Sequence, residues 1–369
     1  MNDSAALPVT LLTGFLGSGK TTVLNNLLRQ PGLARTAVII NELGEIGIDH
    51  DLVETATEDF VLLKSGCVCC SVRSDLIDTL RDLFLKRVRG QIAEFDRVVI
   101  ETTGLADPAP VLHTLTGDPL VTARYRLDGV IATVDAANGG DTLDRAFEAV
   151  KQAAIADRIL LTKTDLADAG AAGRLMARLH ALNPAALIVP VVNGVADPAG
   201  LFDIGLYNPA TKSLDVQRWL NAEAFEHHHD HGDELSRHDH SIRSFVFTLD
   251  HPIASEALKH WIEMLVAFQG PDLLRVKGIV NVADRAGPLV IQGVQHIFHP
   301  PIELAAWPSG DRRSRIVFIT RGGGCGGCAE HAQSLRSLTR EFRPSFPRRR
   351  ESRSAGKQKI LTLRARRIR

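Results

Sequence analysis

The chain has 369 residues, 44% of them apolar, and its 43 basic and 43 acidic residues leave a formal net charge of zero. That length allows two domains with cores of their own, and the balanced charge gives no bulk attraction to nucleic acid or a membrane surface. No apolar run approaches the ~20 residues of a spanning helix. The N-terminus lacks the basic start and cleavage pattern of a signal peptide, so the expected compartment is cytoplasmic. Thiols stay reduced there, and clustered cysteines point to metal binding or redox chemistry before structural disulfides.

In chain order, Val9–Thr13 is a short apolar run that breaks at Gly14, as a buried strand entering a turn does. A helical pattern covers Lys20–Arg29. Ala37–Asn41 reads as a second buried strand and Phe60–Leu63 as a short third. Ser74–Lys86 repeats apolar residues at helical spacing, with Ser74 as its expected N-cap. Further strands are expected at Arg97–Glu101, Gly129–Asp135, Arg158–Thr162 and Leu187–Val192, with helices at Ala146–Ala156 and Ala171–Leu182. Apolar strands alternating with helices predict an α/β domain: a mostly parallel sheet covered by helices on both faces.

The texture changes near Glu226. The run EHHHDHGDELSRHDH holds six of the 14 histidines and almost no apolar residues, and it reads as a linker. Beyond it, strands are expected at Ile242–Leu249, Leu274–Ala283, Pro288–Val294 and Ile316–Thr320, with a helix at Ser255–Phe268. These predict a smaller α+β domain. The expected organisation is therefore a first domain over 1–225, a His-rich linker over 226–241, a second domain over 242–320 and a disordered basic tail over 321–369. The PSFPRRRESR string in that tail looks like translated repetitive sequence.

Gly14-Phe-Leu-Gly-Ser-Gly19-Lys20-Thr21 fits the Walker A pattern, GxxxxGK followed by Ser or Thr. Gly14, Gly17 and Gly19, with Ser18 between them, permit a tight loop whose backbone N–H groups face phosphates. The helix opening at Lys20 adds the positive end of its dipole. Lys20 reaches the β- and γ-phosphates, the Thr21 hydroxyl takes a Mg²⁺ position, and Thr22 continues the helix beside the nucleotide.

Two strand ends complete this reading. Thr162-Lys163-Thr164-Asp165 closes the RILLT strand: a lysine stem there packs on a purine face, and Asp165 accepts from the N1–H and amino group that guanine has and adenine lacks. The usual first residue of that motif is Asn; Thr162 replaces it. Glu101-Thr-Thr-Gly104 closes the RVVIE strand, where Glu101 can hold a Mg²⁺-bound water or orient the attacking one, and the Gly104 N–H can meet the γ-phosphate. Asp135 ends a strand near the same edge and reads as structural.

Lys64–Asp75, KSGCVCCSVRSD, places Cys67, Cys69 and Cys70 in four positions, although the chain has only five cysteines. Three thiolates suit Zn²⁺, which favours four ligands and soft sulfur donors, and a carboxylate such as Glu42 or Glu45 could complete the set. The alternatives are buried small hydrophobes or a Cys67–Cys70 redox pair. The His tract reads either as a loose store for Zn²⁺, Co²⁺ or Ni²⁺ or as a solvated linker. Cys325, Cys328 and His331 have ligand spacing without a second ligand pair.

Taken in order, GFLGSGKT, NELGEIGID, SGCVCC, ETTGLADP and TKTD, followed by LLRVKGIVNV and LVIQGVQHIFHP, resemble the CobW family of P-loop GTPases, which are metal chaperones. The resemblance covers about Pro8 to Thr320. It implies a GTPase domain, a smaller C-terminal domain, and a zinc- or cobalt-binding CxCC site linked to nucleotide state. Asn41–Asp49 then corresponds to the first switch. Many relatives carry a Glu directly before its Asn, where this chain has Ile40. The reading that follows is a GTP-hydrolysing chaperone using GTP/GDP, Mg²⁺ and Zn²⁺ (or Co²⁺) to supply a client metalloprotein, with no nucleic-acid or membrane partner. The alternative is a metal buffer or sensor in which GTP is regulatory.

Overall fold

The computed structural model describes residues 6–41, 62–65, 72–202, 242–269 and 272–321. The readings on Glu42, Glu45, Cys67, Cys69, Cys70, the His-rich linker and the Cys325/Cys328 pair lie outside those residues.

β1 (Leu7–Gly14) runs into the loop that opens α1 (Lys20–Leu28), and a 3₁₀ turn at Pro31–Leu33 leads to β2 (Thr36–Asn41). Next come β3 (Leu62–Ser65), α2 (Val72–Val88), β4 (Arg97–Thr102), α3 (Ala109–Gly117) and α4 (Pro119–Thr122). The first unit continues with β5 (Tyr125–Asp135), α5 (Gly139–Arg145), α6 (Phe147–Ile155), β6 (Arg158–Thr162), α7 (Ala169–Leu182) and β7 (Leu187–Pro190). Its seven strands pair in the order β3-β2-β4-β1-β5-β6-β7. Every pairing is parallel, as the alternating pattern predicts.

Alternating residues of each strand feed opposite cores. Leu11, Ile39 and Ile100 meet Leu76 and Leu80 of α2 and Leu112 of α3 on one face. Leu12, Val38 and Val99 meet Val23, Leu24 and Leu27 of α1 on the other. Each such Leu contributes about 1.5–3 kcal/mol by leaving water. β1 lies centrally between β4 and β5, so the loop after it opens in the crevice where open α/β sheets bind ligands.

The second unit comprises β8 (Ile242–Leu249), α8 (Ser255–Gln269), β9 (Leu273–Val280), β10 (Leu289–Val294), β11 (Ile297–Phe298), β12 (Ile302–Glu303) and β13 (Ser314–Arg321). Its sheet, β11-β10-β9-β13-β8, is antiparallel, with β12 on the flank of β10. The buried Trp261 of α8 packs edge-on to Phe318 of β13.

The two units meet along α6 and the start of β6. Ala154 packs against Leu274 and Ile319. Directly before β6, Asp157 Oδ1 accepts from Arg275 Nη2 at 2.7 Å and Lys277 Nζ at 2.6 Å. Its Oδ2 accepts from the Val130 N–H at 2.9 Å. All three charged side chains are buried.

Some local expectations are corrected. Ser74 is not an N-cap: α2 already begins at Val72, so Ser74 lies within its first turn. β5 starts four residues before the expected Gly129, because Tyr125 and Arg126 pair with Leu7 and Pro8 of β1. The short α4 has no apolar periodicity to reveal it; it is nucleated by Asp118, whose carboxylate accepts from the Leu120 and Val121 N–H groups.

Candidate functional site

The P-loop glycines adopt the conformations their sequence positions require. Gly14, Gly17 and Gly19 have φ of 144°, 71° and 89°. At Gly14 a Cβ would overlap both the hydroxyl and the carbonyl of Thr133. Lys20, 8% exposed, folds back over the loop, its Nζ donating to the carbonyls of Gly14 at 2.9 Å and Phe15 at 3.1 Å. The Ser18 hydroxyl braces the loop from within, donating to the Phe15 carbonyl at 2.7 Å and lying 2.6 Å from the Thr133 hydroxyl.

The other sequence-derived residues converge on this loop from neighbouring strand ends. The Thr21 hydroxyl donates to Glu101 Oε1 at 2.7 Å, and Glu101 is 4% exposed at the end of β4. Gly104 is packed so tightly on the P-loop that a Cβ would lie 2.5 Å from the Leu16 nitrogen. The Thr162 hydroxyl donates to the Ser18 carbonyl at 2.7 Å, tying β6 to the P-loop. Thr therefore supplies a side-chain donor at the position where the motif usually has Asn. Lys163 has φ of 56°, and its Nζ donates to the Gly17 carbonyl at 2.7 Å and to Asp135 Oδ2 at 2.9 Å. Asp165 is exposed on the loop beyond, and Thr22 is exposed at the start of α1.

Asp135, read from sequence as structural, also orients Lys163. Burial alone would raise its pKa; hydrogen bonds from Lys163, Asn138 and two backbone N–H groups outweigh that and hold it below the usual carboxylate range. Asn193–Gly194 forms a turn whose only sequence signal is the N-G pair. It lies against the first turn of α1: Asn26 Nδ2 donates to the carbonyls of Thr22 and Asn193, and a Cβ on Gly194 would press on Asn26 and Thr22.

The donors fit a nucleoside triphosphate with Mg²⁺. The cradle is built of glycine backbone and a lysine. Thr21 and Glu101 offer the hard oxygens that Mg²⁺ takes. The Thr103 hydroxyl, buried beside them, has no hydrogen-bond partner among the described residues.

The metal-motif flanks can also be placed. Asn41 at the end of β2 pairs in register with Ser65 of β3 on one side and Thr102 of β4 on the other. The chain leaves β3 at Ser65 and enters α2 at Val72, and Cys67, Cys69 and Cys70 fall between those points. With strands about 4.8 Å apart, that exit starts roughly 10 Å from the Glu101 strand end. Ile40 pairs in register with Glu101 and packs, half-buried, against the core beneath α1. Among the described residues, no group of three or more His, Cys, Asp or Glu could hold a metal ion.

The CobW/HypB/UreG nucleotide-binding domain matches residues 8–190, and the cobalamin synthesis protein CobW C-terminal domain matches residues 242–332. The chain belongs to the CobW/HypB/UreG family. It is 36% identical over 317 residues to the zinc chaperone YjiA of Escherichia coli, covering 85% of this chain and 93% of that one. It is 30% identical to the zinc-regulated GTPase metalloprotein activator 1 of Schizosaccharomyces pombe, covering 79% and 76%. The crystal structure of Zn(II)-bound YjiA GTPase superposes with a TM-score of 0.64 at 30% identity, covering 92% of this chain and 99% of that one. Both CobW-family domains are thus present in order, with the P-loop, Glu101 strand end and TKTD loop assembled in the first. No helix among the described residues is long and apolar enough to cross a membrane.

Proposed function

We propose that this CobW-family protein hydrolyses GTP and couples that cycle to binding a divalent metal, zinc in the first instance, and passing it to a client metalloprotein in the cytoplasm. The supporting observation is the in-register row Ser65–Asn41–Thr102. It brings the exits toward the thiols, toward the first switch and toward Glu101 and Gly104 to one edge of the sheet. The names of the similar E. coli and S. pombe proteins, a zinc chaperone and a zinc-regulated GTPase activator, agree with it.

In this reading residues 1–225 form the GTPase domain and 242–320 the second domain, joined by the 226–241 linker. Gly14 to Thr22 cradle the phosphates, and Lys163 and Asp165 select guanine. Lys20 neutralises charge building on the β- and γ-phosphates. Bound Mg²⁺ would be held by Thr21 and the neighbouring Glu101 and would neutralise phosphate charge. Glu101 also orients the attacking water, and Gly104 registers the γ-phosphate. Cys67, Cys69 and Cys70, with Glu42 or Glu45, hold the cargo metal. Since its ligands lie in segments leaving the same edge, metal and nucleotide each change the other's affinity by one common factor.

GTP hydrolysis measured with and without Zn²⁺ tests this. Zn²⁺ is expected to change the rate of the wild-type protein and to leave the Cys67/Cys69/Cys70→Ala variant unaffected. An equal response in both proteins would separate the thiols from the nucleotide cycle.

A further inference from the structure

The segment Gly104–Asp107 is held from behind by α6. Gln152, 1% exposed, donates from a single Nε2 to the carbonyl of Gly104 at 3.2 Å and that of Ala106 at 3.1 Å. One residue earlier, Lys151 Nζ meets Asp107 Oδ2 at 2.7 Å. The other oxygen of Asp107 accepts from the Ala109 N–H at 3.0 Å, opening α3. In front, Gly104 abuts Leu16 of the P-loop. The segment is therefore clamped between the phosphate loop and one helix.

Among the described residues, the Gln152 amide makes no other hydrogen bond. Its Oε1 is buried and has no hydrogen-bond partner among the described residues, so within them the two bonds from Nε2 orient the amide. A buried acceptor left unpaired is a cost that an apolar side chain here would not carry. The carbonyls it holds also matter individually. Glycine has no side chain to anchor it and the widest backbone freedom of any residue, so the bond to its carbonyl limits how far Gly104 can drift from the P-loop.

We propose that Gln152 is a positioning residue for GTP hydrolysis: it holds Gly104 and Ala106 where the segment responds to the γ-phosphate. This rests on the reading of Gly104 as γ-phosphate sensor. Because the same helix packs Ala154 against Leu274 and Ile319, the clamp also joins the sensor to the second domain.

Gln152→Met, which keeps length and removes both donors, tests it. Hydrogen exchange is followed in peptides spanning residues 101–107 with GTPγS and with GDP, alongside single-turnover hydrolysis and GDP affinity. In the wild-type protein GTPγS is expected to slow exchange relative to GDP. In the variant that difference is expected to collapse and hydrolysis to fall about tenfold, with GDP affinity held within about twofold. A variant that keeps both the exchange difference and the rate overturns the role of Gln152. So does one that loses GDP affinity in proportion to rate, since that marks a purely structural part. A wild-type protein with no difference between nucleotides overturns the Gly104 reading instead. Gln152 borders a cavity of about 220 Å³ beside the P-loop, which lets water enter the space left by the shorter Gln152→Ala; that variant gives the same readout should the methionine variant not fold.

Discussion

Lys20→Met is expected to lower the single-turnover rate of GTP hydrolysis by about a thousandfold, at the upper end of the range seen when an enzyme loses one preorganised donor aimed at developing negative charge. Lys20 Nζ is already inside the P-loop, held by the Gly14 and Phe15 carbonyls, so it meets the phosphates without reorganising a long, solvated side chain. Methionine keeps the stem that fills the loop and removes only the charge and its hydrogen bonds. The fold should therefore survive, at a cost of about 1–3 kcal/mol for carbonyls that lose their donor. Single-turnover kinetics and a thermal melt on the same sample separate the two effects. A rate within tenfold of wild type would show that this ammonium group does not act on the transferring phosphoryl group.

The largest expected effect on stability is at Asp157. Its carboxylate is the counter-charge for Arg275 and Lys277, all three buried where the two domains meet. Asp157→Ala removes the carboxylate that these two buried cations share and the acceptor of the Val130 N–H, and the expected loss is about 3–5 kcal/mol. For domains of this size that corresponds to a fall in melting midpoint of roughly 10 °C. Replacing Asp157, Arg275 and Lys277 together by apolar residues should cost far less, because no charge is then stranded.

The same cluster sets a pH dependence. Burial alone would raise the pKa of Asp157, but Arg275 and Lys277 more than reverse this and hold it well below the ordinary carboxylate range. Its stabilisation is complete above the unfolded carboxylate pKa near ~4 and is lost as pH falls below it. His299, nearby in the second domain, is pushed down to about 3 by burial and by Arg275. The unfolded chain gains that proton below about 6.5 while the folded one does not, so stability also declines from there downward. Melting midpoints from pH 7 to pH 4 should fall throughout. In Asp157→Asn the decline below pH 6.5 should persist, since it belongs to His299.

The nucleotide site was legible in the sequence because its chemistry lies in short runs. The loop from Gly14 to Thr21, the Glu101–Gly104 strand end and Thr162–Asp165 each carry spacing with a mechanical meaning. The parallel order of strands followed from apolar runs alternating with helices. Residues that act through pairing across the chain were not legible. Asp135 looked structural until Lys163, distant in sequence, closed on it. Gln152 is one of three polar residues in α6, beside Glu148 and Lys151, and nothing in EAVKQAA announces a clamp on Gly104. Asp157 is separated from Arg275 by 118 positions, and only the docking of β9 on α6 gives it meaning. Ser74 failed for a local reason: an N-cap signal counts only where a helix begins, and Val72 and Arg73 already belong to α2.

The central claim is that one edge of the sheet serves both the thiols and the γ-phosphate. Zn²⁺ titration of the metal-free protein against a competing chelator, with GTPγS and with GDP, tests it most directly. The account predicts that Zn²⁺ affinity differs between the two nucleotides by at least about fivefold, with the reciprocal shift in nucleotide affinity when Zn²⁺ is held constant. Equal Zn²⁺ affinity with both nucleotides would contradict it.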